Sequence, residues 1–247
     1  MTTPSAFVFL HGGQHSSWCW ERLITHLAPT TLARQRVLTL DVPGCGRKRW
    51  RAGAASTLLE VATELNAEIR AAKLGRVVLV GHAMAGSLLP QMAALAPDLF
   101  RHLVYLAACV PRQGESVMDT LGGTLQGVHP SVVGWPLDPQ STSPQDMMTA
   151  MFGTGLDKAT LQMLLAECAQ DQWPLSLAAE PVALDGRDLA VPSSYVVTLK
   201  DPILPVFWQG RFAERAGARA MYSMDAPHEL FFSQPAELAG LLQAIAI

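Results

Sequence analysis

Charge is scarce in this 247-residue chain: only 16% of residues are Asp, Glu, Lys or Arg, and the net charge is −3. No basic face emerges, so a nucleic-acid partner is not expected. The densest cationic cluster, "GRKRWR" at 46–51, is short and reads as a solvated loop. Cysteine is equally sparse. Cys19, Cys45, Cys109 and Cys168 form no CxxC pair, and a chain this long does not need disulfide staples. Reduced thiols and a cytoplasmic location are therefore expected. No uninterrupted apolar run reaches membrane-spanning length. The first apolar run begins at Ala6, so no secretory leader is expected. What is abundant is apolar side chain, 49% of residues, enough for a large buried core in one domain.

The apolar residues alternate between strand-like and helix-like runs. "AFVFL" (6–10), "RVLTLD" (36–41), "RVVLVG" (76–81) and "HLVYLAA" (102–108) are short and continuous. Between them lie helix-like stretches: "WCWERLITHLA", "TLLEVATELNAEIRAAKLG" (57–75, with Gly75 as its stop) and "SLLPQMAALAP" (87–97). Continuous apolar strands alternating with helices predict a parallel sheet covered on both faces. The rhythm lapses after Pro111 and resumes with "SYVVTLKD" (194–201), a helix near 205–216, "ARAMYSMD" (218–225) and "PAELAGLLQAIA". The organisation expected is an α/β core, residues 1–111 and 191–247, interrupted by a mostly helical cap over 112–190.

The stretch "VVLVGHAMAG" (77–86) runs from a strand into a turn with small flanking residues, Gly81 and Ala85, then into a helix. In G-x-S-x-G enzymes that strained turn lifts a serine above the sheet. Here Ala83 stands at that position, and a methyl group can neither attack nor give up a proton. The surrounding pieces are nevertheless those of a nucleophilic hydrolase. "HGG" (11–13) follows the first strand, where a second oxyanion amide is supplied, so Gly13 and Met84 are the candidate donors. Asp201 ends one late strand and His228 follows another, which gives the order position 83, acid, base. His228 is then the candidate general base, with Asp201 orienting it.

Taken together, "FLHGGQHSSWCWERLITHL", "LTLDVPGCGR", "LVGHAMAG", "LVYLAACVPRQGES", "YVVTLKDPILP" and "HELFFSQPAELA" resemble α/β-hydrolases of the plant methylesterase and hydroxynitrile lyase group and their bacterial esterase relatives. The resemblance implies the α/β-hydrolase fold with a helical cap, no cofactor, Asp201 and His228 as triad members, and Gly13 with Met84 as the oxyanion hole. It also implies that His15 is a structural anchor after the oxyanion loop. Lyases of this group carry threonine after the first histidine and lysine after the catalytic one. Gly12 and Glu229 occupy those places here, which argues against cyanohydrin cleavage.

Three accounts of Ala83 follow. The favoured one is a small-molecule carboxylesterase in which alanine was introduced for serine, leaving an inactive form. The second is a natural non-acylating enzyme, a decarboxylase, cyclase or lyase of polyketide-type substrates, using His228 and Asp201 as acid and base. The third is a binding protein or receptor without turnover. Cys109 and Ser87 are weak substitutes for the nucleophile. His82 is expected to pack beneath the turn. His26, His102 and His129 have no acidic or cysteine partners at ligand spacing, so no metal site is expected. "LGGTLQG" (121–127) has no strand before it and is not a phosphate loop. The segment 112–190 is rich in adaptable apolar side chains, including Trp135, Met147, Met151 and Trp173, and suits a small hydrophobic or aromatic ester. Gly12, His82, Leu121, Met148, Phe152 and Trp208 are the candidate pocket residues. A homodimer is left open.

Overall fold

The computed structural model describes residues 5–28, 30, 33, 36–122, 133 and 135–246. Its centre is a six-stranded, fully parallel sheet in the order β2-β1-β3-β4-β5-β6. The strands are β1 (Ala6–Leu10), β2 (Val37–Leu40), β3 (Val77–His82), β4 (Phe100–Leu106), β5 (Ser193–Thr198) and β6 (Ala220–Met224). Their sequences follow their positions. β1, β3 and β5 are buried at every residue, as strands covered on both faces must be. At the edges, β2 is half-buried and β6 leaves Met221 and Tyr222 exposed.

Helices α1 (Glu21–Leu27), α2 (Leu58–Ala71) and α3 (Leu89–Leu95) connect the first four strands. α2 begins with a capping box. Thr57 Oγ1 accepts from the Glu60 amide, and the Glu60 carboxylate accepts from the Thr57 amide, a device worth about 1 kcal/mol. It ends at Ala71, earlier than the sequence suggested, because Lys73 already takes a left-handed conformation ahead of Gly75. Trp18 likewise lies in a 3-10 turn, Ser17–Trp20, ahead of α1 rather than on its face.

Between β4 and β5 lie α4 (Val117–Leu121), α5 (Pro144–Phe152), α6 (Lys158–Cys168) and α7 (Leu175–Ala179), with no strand of the main sheet among the described residues. α8 (Val206–Arg215), α9 (Leu230–Ser233) and α10 (Pro235–Ile245) complete the chain.

The basic run at 46–51 is not a free cationic loop. Arg47 pairs with Asp41, Lys48 with Glu64 and Glu68, and Arg51 with Glu64. Arg49 reaches across to Asp171 (2.7 Å) and Glu167 (2.9 Å). Asp171, buried, also accepts from Trp18 Nε1 and from the Gly46 amide. The Gln172 amide donates to Gly44, the Ser176 hydroxyl to Ser56, and the Leu58 amide to Glu180. The run thus ties the α6–α7 portion of the intervening segment to the sheet's connections. Among the described residues no helix is long and apolar enough to cross a membrane.

Candidate active site

In the sheet order, the chain leaves β1 for β2 on one side and returns to β3 on the other. The loops at the carboxyl ends of β1 and β3 therefore diverge, and a crevice opens between them. That switch point brings "HGG" beside the turn at Ala83.

Ala83 has φ +48°, in the left-handed region that costs a non-glycine residue free energy, and it opens the 3-10 turn Ala83–Ser87 directly after β3. Its carbonyl accepts from the Cys109 amide at 2.9 Å, which fixes the turn against the end of β4. Gly86 is required there: a Cβ would lie 2.1 Å from the Cys109 carbonyl oxygen. Gly12 packs under the turn, where a Cβ would stand 2.7 Å from the Ala83 methyl. Gly13 lies against Met84, whose Sδ would be 2.5 Å from a Cβ on that glycine. The two candidate oxyanion residues are thus neighbours across the crevice.

His228, buried, lies beyond β6, and its Nδ1 donates to Asp201 Oδ2 at 2.7 Å. Asp201 is held on all sides. Thr198 Oγ1 donates to the same oxygen at 2.7 Å, and the amides of Ile203 and Leu204 both donate to Oδ1 at 2.8 Å. Gln209 in turn fixes Thr198, accepting from its amide. Burial alone would lower the His228 pKa, but the charge and hydrogen bond of Asp201, with Glu229 behind, more than offset it and raise it above the ordinary value.

His82 lies beneath, its ring 4.4 Å from that of His228, and its Nε2 donates to the His228 carbonyl at 3.2 Å. Burial and the neighbouring histidines push its pKa well down, so it stays neutral and packs where the sequence suggested. His11 is also kept neutral, lowered to about 4 by burial, and bridges the ends of β1 and β2 through Gly12 O and the Val42 amide.

A cavity of about 480 Å³ opens above these groups. His82, Ala83, Met84, Gly13 and His228 form its floor, and Leu121, Trp135, Met147, Met148, Met151, Phe152 and Trp173 line it from the segment between β4 and β5. Two expected pocket residues are not on its wall. Trp208 packs instead against Phe212 and beneath the guanidinium groups of Arg211 and Arg215, because the exposed start of α8 turns it toward its own helix. Gly12 serves the turn rather than the cavity. Cys109 does line the cavity, but burial pushes its thiol up to about 12, so it offers no thiolate. Ser87 is buried and donates to the Met84 carbonyl.

Donor atoms of His82, His228 and Glu229 lie within 4.8 Å of one another. His228 Nδ1 is already committed to Asp201 and His82 Nε2 to a carbonyl, and a cation there would compete with His15 for Glu229. His102 bonds Ser194, His26 is exposed, and His129 lies outside the described residues, as does most of "LGGTLQG".

A parallel sheet with a strained turn after its third strand and an aspartate–histidine pair beyond its last two defines the class: a hydrolase-fold protein built around a nucleophile elbow. The chain belongs to the alpha/beta hydrolase family, whose family model matches residues 7–241. It is similar to a putative chloroplastic methylesterase of Arabidopsis thaliana, 26% identical over 97% of this chain, and spans 63% of that protein. It is 35% identical to a probable esterase of Oryza sativa over 50% of this chain, which is 46% of that protein. A pheophorbidase of Raphanus sativus is 27% identical over 97% of this chain and 94% of its own length. Among solved structures, a pyrethroid hydrolase from Sphingobium faniae JZ-2 shares the fold with a TM-score of 0.75 at 21% identity, covering 99% of this chain and 98% of its own.

Proposed function

We propose that this protein is a small-molecule carboxylic ester hydrolase scaffold in which Ala83 occupies the nucleophile position, so that no acyl-enzyme forms. The observation that carries the reading is the conformation of Ala83. A left-handed alanine costs free energy, and this one sits over a cavity shared with His228, Gly13 and Met84. With serine at 83, His228 Nε2 would take the hydroxyl proton, Asp201 would hold the imidazole in the Nδ1–H tautomer, and the Gly13 and Met84 amides would receive the oxyanion. The esterase names carried by several relatives support ester chemistry. Residues 112–190 act as the cap, and its methionine- and tryptophan-lined face selects a hydrophobic or aromatic ester.

The test is Ala83→Ser, assayed on short aryl and methyl esters with a watch for a burst of alcohol. Serine should raise hydrolysis by at least about 10³-fold, since removing such a nucleophile elsewhere costs on the order of 10⁶. If the serine form hydrolyses none of these esters, the esterase reading is wrong.

A further inference from the structure

Glu229 follows the candidate base directly, yet it does not face the cavity. Its side chain is completely buried, and neither carboxylate oxygen receives a well-aligned hydrogen bond among the described residues. A carboxylate in that condition needs a cation. The group beside it is His15, whose Nε2 lies 3.3 Å from Glu229 Oε2 and which is itself buried.

The hydrogen bonding of His15 fixes the proton at Nδ1. Nδ1 lies 2.8 Å from the Gly13 carbonyl, an acceptor, so Nδ1 must carry a proton. At Nε2 a neutral ring could accept from the Cys168 thiol, 3.9 Å away, but its lone pair would also face the Glu229 carboxylate oxygen at 3.3 Å and leave that buried charge without a cation. An imidazolium donates at Nδ1 to the Gly13 carbonyl and sets its charge and Nε2–H beside Glu229. The charge of Glu229 outweighs the burial that would otherwise neutralise the ring, and the pKa rises well above its ordinary value. The other titratable groups around it are Cys168 on α6, with Sγ 3.9 Å from Nε2, and the histidines His82, His11 and His228. Trp18 stacks on the ring and Phe152 meets it edge-on.

The carbonyl that His15 grips belongs to the loop whose amide the proposed function uses. Between them stands Gln14, exposed and at φ +57°, a conformation that nothing in its own side chain enforces. We infer that Glu229 is a positioning residue: through His15 it holds the Gly12–Gln14 loop in shape and locks the oxyanion loop to the loop that carries His228. This rests on the reading in which Gly13 supplies an oxyanion amide. It gives the glutamate after the base a role opposite in sign and in place to a cavity-facing lysine.

The experiment begins with the chain as it stands. Nitrogen-15 spectra of the imidazoles at pH 7.5 should show His15 protonated at both ring nitrogens, and Glu229→Gln should return it to the neutral form. Glu229→Gln can keep a hydrogen bond to that neutral ring, whereas Glu229→Leu cannot. The Gly13 and Gln14 amide signals should therefore move strongly in Glu229→Leu and little in Glu229→Gln, while those of Val37–Leu40 hold. Combined with Ala83→Ser, Glu229→Leu should lower kcat about 10- to 100-fold with KM changed by less than about threefold, and Glu229→Gln should restore most of it. A neutral His15 in the starting chain overturns the inference, and so do unmoved Gly13 and Gln14 signals in Glu229→Leu. Should the leucine variant not fold, Glu229→Asp, which withdraws the carboxylate by one methylene, must move the same two amides or the inference is lost. An inactive Ala83→Ser chain with the spectroscopic pattern intact would instead count against the esterase reading alone.

Discussion

Two histidine–carboxylate pairs stand side by side in this molecule, and they are built on different principles. Asp201 accepts four hydrogen bonds, from Thr198, His228 and two backbone amides. Glu229, equally buried, has among the described residues one ion-pair contact, at 3.3 Å, and no well-aligned hydrogen bond. The first pair is over-determined, so its geometry survives while the proton of His228 moves. The second depends on a single charge, so it is structural only as long as that charge stays. A proton-transfer site needs the first arrangement, and a latch between two loops can use the second.

The largest expected effect probes the over-determined corner. In an active Ala83→Ser chain, Asp201→Asn keeps the shape but favours the wrong tautomer of His228, and kcat should fall about 10⁴-fold. Folding should suffer less than catalysis, since the Ile203 and Leu204 amides still find an acceptor oxygen. Equal loss of activity and of fold, measured by rate and by denaturant midpoint, would mean that the two corners do not differ in kind.

Glu229→Ala should do the converse. It removes the charge that holds the His15 proton, so the ring becomes neutral and its buried Nε2 loses that partner, typically at about 1–3 kcal/mol. Stability should therefore drop by that order, read from denaturant unfolding. A loss below about 1 kcal/mol would show that the pair contributes no more than an ordinary hydrogen bond.

The two corners were not equally legible in the sequence. Continuous apolar runs mark β1, β3 and β5 because strands covered on both faces have no polar positions to interrupt them. The order of position 83, Asp201 and His228 is likewise visible, since each residue closes or follows a strand. Thr198 and Gln209, which fix Asp201, belong to elements whose packing no local pattern reveals. Glu229 and His15 lie 214 residues apart, and only the folded sheet makes them neighbours. The same holds for Arg49 and Asp171: a cluster that looks cationic in sequence is neutralised by acids from three other segments. Trp208, a candidate pocket residue by sequence, packs against Phe212 instead, since no local pattern shows which way a helix turns its side chain.

A pH experiment separates the corners through stability. His15 has a raised pKa in the folded chain, so its pairing stabilises the fold fully below the unfolded value near 6.5. That stabilisation is lost as pH climbs through the folded value. The denaturant midpoint of the chain should accordingly decline on the alkaline side, and Glu229→Gln should flatten the decline. Parallel curves for the two proteins from pH 6 to pH 10 would remove the charge from the second corner.

The smallest effect concerns the rate profile. The base form of His228 is the neutral imidazole, and its pKa is raised by Asp201 and then by Glu229 against the opposing burial. In Ala83→Ser the rate should rise with pH, pass half-maximum above 6.5, and level off beyond the folded pKa. Glu229→Gln removes a charge that raises this pKa, and with it the His15 cation that lowers it. The two changes oppose each other, and Glu229 outweighs His15 at His228. The midpoint should therefore move slightly toward acid, by well under one pH unit as an order-of-magnitude expectation. A larger acid displacement would mean that His15 keeps its proton without Glu229, and an alkaline one that the lost His15 cation outweighs Glu229 at His228.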